Sequence, residues 1–156
     1  MRFNTILLAS HDTLGARAAE RLARSLCKRG GTLSHLYVVP DFWKGMMGDD
    51  WLNNAVTRAR FGTYVESQLT EEMEAVRQRL EQEVTAVGLE YGFEYRFGRP
   101  AECLVEVAER HRPDLVVIGS PRPKGTPGYR SRMDLKILAR RLTVPLLTAP
   151  YPLQAT

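Results

Sequence analysis

Five short apolar runs alternate with longer segments whose apolar residues recur at helical spacing, and this alternation constrains the fold more than any other feature. "RFNTILLA" is suited to a strand buried on both faces. In "DTLGARAAERLARSLCKRGG", Leu14, Ala18, Leu22, Ala23 and Leu26 recur as on one helix face, with Asp12 or Thr13 to cap the start and Gly30 the end. "TLSHLYVVP" reads as a second strand stopped by Pro40. "TEEMEAVRQRLEQEVTAVG" reads as a helix capped by Thr70, with acids in its first turn and Gly88 at its end. The aromatic, alternating "EYGFEYRFG" gives a third strand. "RPAECLVEVAERHRP" gives a helix with Pro100 at its first position, where the missing amide costs nothing. "DLVVIGS", "SRMDLKILARRL" and "VPLLTAP" complete the series as strand, helix and strand. Strands separated by helices need crossover connections, so the fold class expected is α/β, a doubly wound parallel sheet covered by helices on both faces.

The exception is the connection 41–69, which holds both tryptophans, Trp43 and Trp51, and has partly helical character around "WLNNAVTRARFGTYVESQL". A connection of this length in a small domain is usually a functional or interface element. The tryptophans are read as packing residues rather than as a ligand-stacking pair. No apolar run is long enough to span a bilayer, and "MRFNTILLAS" reads as a buried strand rather than a leader. Cys27 and Cys103 fall in helix-like segments without metal spacing, the pattern of two free thiols in a reducing cytoplasm. Of 22 basic and 18 acidic residues, seven basic and one acidic lie between Gly119 and Arg141, which leaves 15 basic against 17 acidic elsewhere. The positive charge is therefore local, an anion site or a solvated helix face, and a nucleic-acid-binding surface or a membrane association is not expected.

In a doubly wound sheet, ligands sit beyond the carboxyl ends of the strands where the winding reverses. With the first and fourth strands adjacent there, "ASHDT" and "GSPRPKG" face each other and gather His11, Asp12, Ser120, Arg122 and Lys124. The stretches "LLAS", "LYVVP", "GRPAECLVEVA", "RPDLVVIGS" and "VPLL" span nearly the whole chain, which resembles a universal stress protein. The resemblance implies a five-stranded parallel sheet of order 3-2-1-4-5, of the adenine nucleotide alpha hydrolase-like kind. It also implies a homodimer joined through the last strand, 144–148. The domain would cover 1–150, with 41–69 inserted between the second strand and second helix and 151–156 as a tail.

Some members of that family bind ATP through Gly, two residues, Gly, nine residues, Gly, then Ser or Thr. Laid on this chain, the first position is Gly119, the second Arg122, the third Arg132, and the hydroxyl position Met133. Family resemblance further marks Ala9, Ser10, Ile118 and Ser120 around the site, places His11 where binding members carry a carboxylate, and puts Val38 where backbone meets adenine. Glycines let backbone amides approach phosphate, whereas arginine side chains fill that space. Pro121, Pro123 and Pro127 each remove an amide donor, and Met133 has no hydroxyl. Ordinary ATP binding is therefore expected to be lost. Against this, "SRMD" resembles a capping box at a helix start, and arginines hold phosphate well by paired contacts. That leaves ATP, another adenine nucleotide or a smaller anion as the alternative ligand.

No nucleophile with an orienting acid surrounds His11, so it reads as a polar strand-end residue. His35 reads as a packed core histidine, and His111 as a cation at a helix end. Leu135, Leu138 and Leu142 are expected to face the sheet, which leaves the charges of "KILARRL" to solvent. The expectation from the whole chain is a cytoplasmic, non-enzymatic stress-response regulatory or interaction protein. Its rivals are a phosphate-metabolite sensor and, with no supporting motif, a nucleotide hydrolase or nucleotidyl transferase.

Overall fold

A computed structural model describes residues 2–10, 14–39, 55–120 and 133–151, with backbone alone at 14 and over 55–69. The elements are β1 (Phe3–Ala9), α1 (Leu14–Leu26), β2 (Cys27–Val39), α2 (Ala55–Ala86), β3 (Glu90–Phe97), α3 (Pro100–His111), β4 (Leu115–Gly119), α4 (Leu135–Arg141) and β5 (Leu146–Ala149). Every strand pairing is parallel, and the order is β3-β2-β1-β4-β5. The expected fold class and strand order are thus both present.

Alternation along the strands explains the two-sided burial. Leu7, Ala9, Val116 and Ile118 pack with Leu104, Val107 and Leu138, on the face covered by α3 and α4. Ile6, Leu8, Leu115 and Val117 point the other way and pack with Ala19 and Ala23 of α1 and Leu80 and Val84 of α2. The chain winds outward from β1 through β2 to β3, then returns to place β4 on the other side of β1. The reversal lies between β1 and β4, in register at Leu7 with Val116 and Leu8 with Val117.

Several local expectations are corrected. The first helix stops at Leu26, and Cys27, expected inside it, opens β2 beside Phe3. Gly30 therefore ends no helix; it turns at φ 82° within a distorted start to β2 and donates its N–H to the Gly88 carbonyl at 3.0 Å. Thr70 is not a cap. It lies inside α2, because no proline interrupts Ala55–Ala86 and one internal glycine, Gly62, costs only about 1 kcal/mol relative to alanine. Gly88 closes that helix as expected, at φ 81° with its N–H on the Thr85 carbonyl.

At α4 the cap is Asp134 itself, whose carboxylate accepts from the amides of Lys136 and Ile137 at 2.9 and 3.3 Å. The helix therefore begins later than a Ser131 capping box requires, and Ser131 lies outside the described residues. One consequence is a rotated apolar stripe. Leu138 is buried and Leu142 packs beside it, but Leu135 is 39% exposed and Ile137 takes its expected place in the core. In β5, Leu146 packs toward the α3/α4 face and Leu147 toward the α1/α2 face, both only partly buried at the edge of the sheet.

Candidate functional site

The winding reverses where β1 and β4 end side by side, at Ala9–Ser10 and Gly119–Ser120, the point at which a doubly wound sheet offers a ligand crevice. Its floor is set by a close approach of backbone. A Cβ on Gly119 would lie 2.4 Å from the Gly15 carbonyl oxygen and 3.0 Å from the Ala16 nitrogen, and one on Gly15 would lie 2.9 Å from the Ser120 oxygen. Two glycines, one in the first turn of α1 and one closing β4, let that helix start rest on the strand end.

The described residues among those marked in the sequence have side chains committed to the core or to the fold. Ala9, Val38 and Ile118 are buried in the α3/α4 face of the core, and Met133 packs partly against the same cluster. The Ser120 amide and hydroxyl both donate to the Ala149 carbonyl, at 3.0 and 2.6 Å, and so tie β4 to the end of β5. Ser10 is fully buried, and its hydroxyl donates to Glu20 Oε1 at 2.5 Å. His11, Asp12, Arg122, Lys124 and Arg132 lie outside the described residues, as do Pro121, Pro123, Pro127, Trp43 and Trp51.

Beneath the crevice runs a polar network that the sequence reading anticipated only at His35. Glu20 is 1% exposed, and both terminal nitrogens of Arg79 donate to its carboxylate, at 3.0 and 3.1 Å. Arg79 also meets Glu83 at 3.1 Å, and Glu83 accepts from Arg24 at 3.0 Å. On the other side, His35 Nε2 lies 3.1 Å from the Ser10 carbonyl and Nδ1 lies 2.7 Å from the Tyr91 hydroxyl. A carbonyl can only accept, so Nε2 carries the proton, and in the neutral ring Nδ1 accepts from Tyr91. Burial raises the pKa of Tyr91 and keeps that donor protonated.

The missed signal was present in the sequence. Position 20 falls on the same stripe as Ala16, Ala19 and Ala23, the buried face of α1. A carboxylate on an apolar stripe needs a partner. Arg79 stands beside Leu80 in α2, but nothing in one sequence links 20 to 79.

A second polar cluster sits away from the crevice, on β3 and α3. Burial by itself would raise the Glu94 carboxyl, but hydrogen bonds from Arg96, Arg110 and His111 outweigh it and hold the pKa down at about 2. Burial also pushes the Cys27 thiol up, with Asp114 adding to the effect. Both cysteines are buried and neither is in a disulfide, as expected of structural thiols.

The model for the universal stress protein family matches residues 2–133. No curated protein matches the sequence. Solved structures share the fold at low identity. A universal stress protein from Lactobacillus plantarum superposes with a TM-score of 0.70 at 19% identity, with 96% of this chain and 99% of that one covered. A family protein from Arabidopsis thaliana with AMP bound gives 0.58 at 12%, covering 96% and 92%. A universal stress protein in complex with cAMP gives 0.61 at 16%, covering 97% and 100%.

Proposed function

The chain belongs to the universal stress protein family, and from that premise we propose a non-enzymatic stress-response regulatory protein whose crevice no longer holds ATP in the family's manner. The observation that carries this reading is the commitment of the crevice's described polar groups to the fold. Ser10 donates to Glu20, Ser120 to Ala149, and Gly119 is occupied by the first turn of α1. Arg122, Arg132 and Met133 replace the remaining two glycines and the hydroxyl of the motif. Among the described residues, the nearest thing to an activated nucleophile, the Ser10–Glu20 pair, has no exposed surface on Ser10 from which to reach a substrate.

Thermal denaturation with ATP, ADP, AMP or inorganic phosphate, with and without Mg²⁺, tests this reading. A ligand present at 100 times its Kd adds about 2.7 kcal/mol, or roughly 5–11 °C for a domain of this size. ATP at about 1 mM should leave the midpoint unchanged; a shift of that size would overturn the reading, because it implies a Kd near 10 µM.

A second reading is favoured by the solved relatives with AMP or cAMP bound. In it, an adenine nucleotide or small anion is sensed through Arg122 and Arg132. It predicts a shift with AMP or phosphate that shrinks as salt rises, since exposed charges are screened within about 10 Å at 0.1 M.

The proposal extends to assembly. β5 is an edge strand with Leu146 and Leu147 half-covered and Thr148 exposed, a surface suited to antiparallel pairing with a second copy across a two-fold axis. Pro145 and Pro150 bracket it and limit pairing to a few residues. Light scattering should report a dimer at micromolar concentration, which Thr148→Pro weakens; a wild-type monomer would contradict this. Two cysteines left unbridged fit a cytoplasmic setting for such a dimer.

A further inference from the structure

The three buried polar or charged residues among those described are Ser10, Glu20 and His35, and all belong to the one network that ends at the crevice. We propose that Glu20 and Arg79 are positioning residues that latch the carboxyl end of β1 to α1 and α2, an inference that rests on reading the crevice as the functional site. Every polar atom of Ser10 is engaged. Its amide donates to the Leu36 carbonyl at 3.2 Å, its carbonyl accepts from His35, and its hydroxyl donates to Glu20. Two elements, β2 and α1, thus fix one residue directly, and α2 backs α1 through Arg79, at the point where the chain leaves the sheet.

Stability alone does not account for such a device. Burying the Glu20 carboxylate costs several kcal/mol that the part-exposed Arg79 offsets only in part, and a well-packed apolar residue in such a place is often neutral or stabilising. What the pair supplies is geometry. A leucine at 20 could fill the space among Ala16, Ala19 and Ala23, but it could not hold a hydroxyl. The paired Arg79 lies in α2, whose first half, 55–69, belongs to the long connection after β2. A force on that helix is therefore applied at Ser10.

The test is residue-resolved hydrogen exchange of the ligand-free protein, comparing the Ser10 amide with the Val116 amide, which donates to the Pro145 carbonyl in the neighbouring part of the sheet. Arg79→Met alone strands a buried carboxylate and could unfold the chain, so the informative variant is Glu20→Leu with Arg79→Met. The latch predicts exchange at Ser10 faster by about 10-fold or more, with Val116 unchanged or slower, because the opening is local. Glu20→Gln keeps an acceptor for the hydroxyl and should restore most of the protection. Should the double variant fail to fold, Ser10→Ala removes the hydroxyl and is read by the same comparison at residue 10. Equal acceleration at both amides, or none at Ser10, would overturn the proposal. No nucleotide enters the measurement, so its failure is separate from failure of the ligand reading.

Discussion

Replacing Gly119 with alanine separates two roles that one glycine can have. As the first position of a nucleotide motif it matters only when ligand is bound; as the seat of α1 it matters always. The added Cβ would sit 2.4 Å from the Gly15 oxygen and 2.5 Å from the Gly15 carbonyl carbon. These are backbone atoms in the first turn of a helix, so no rotamer change can relieve the clash. The helix start must retreat by roughly 1 Å, and a gap of that size forfeits a quarter to a half of each dispersion contact it opens. Overpacking of this kind costs about 1–3 kcal/mol. For a domain of this length, that lowers Tm by roughly 2–12 °C. The assay is thermal and urea denaturation without nucleotide. Gly92→Ala is the control, since its Cβ would meet only Ser34 Oγ at 3.7 Å. In a strand interior that change should be neutral or stabilising by about 0.5–1 kcal/mol. A Gly119→Ala protein within about 0.5 kcal/mol of wild type would refute the argument and return the glycine to the ligand.

Two further substitutions probe the β3/α3 charge cluster and the end of α3. Glu94 has a folded pKa near 2 against an ordinary 4.5, so its contribution is present above 4.5 and is lost as pH falls toward 2. Glu94→Gln should cost on the order of 1 kcal/mol at neutral pH, solvent screening discounted, and nearly nothing at about pH 2; a gap independent of pH would contradict it. Arg112 ends α3 in the left-handed region at φ 47°, with its amide on the Ala108 carbonyl at 2.8 Å. Arg112→Gly relieves about 1–2 kcal/mol of strain and gives back part of it as unfolded-chain entropy, a net gain of about 0.5–1 kcal/mol read from the urea midpoint. A loss of stability would show that the arginine side chain holds something the backbone does not.

The central strands were legible because their apolar residues alternate between two covered faces, as Ile6 and Leu8 do against Leu7 and Ala9. Helix boundaries were less so. Local signals at Thr70 and Ser131 are good caps in isolation, yet at 70 the helix continues into the preceding segment, and at 134 an aspartate is the better acceptor. At the site, the family motif drew attention to glycines and arginines in one loop. The groups that anchor the crevice from below are scattered over positions 10, 20, 35, 79 and 91, and only the fold brings them together. His35 could be read as a core residue because a strand with apolar neighbours surrounds it. Glu20 was hidden by the many charges of its own helix.

The reversal of winding between β1 and β4 also sets an entropic account for the chain. Thr5 donates its amide to Asp114 across a separation of 109 residues, whereas His35 meets Ser10 across 25. Closing the longer loop costs only about 1.3 kcal/mol more than closing the shorter, because the penalty grows with the logarithm of length. The long connection between β2 and β3 lies inside the larger loop. Adding or removing residues there changes the equilibrium cost of joining β1 to β4 by a few tenths of a kcal/mol. Connection length is thus nearly free to vary while the switch point, made by two strands distant in sequence, stays the same.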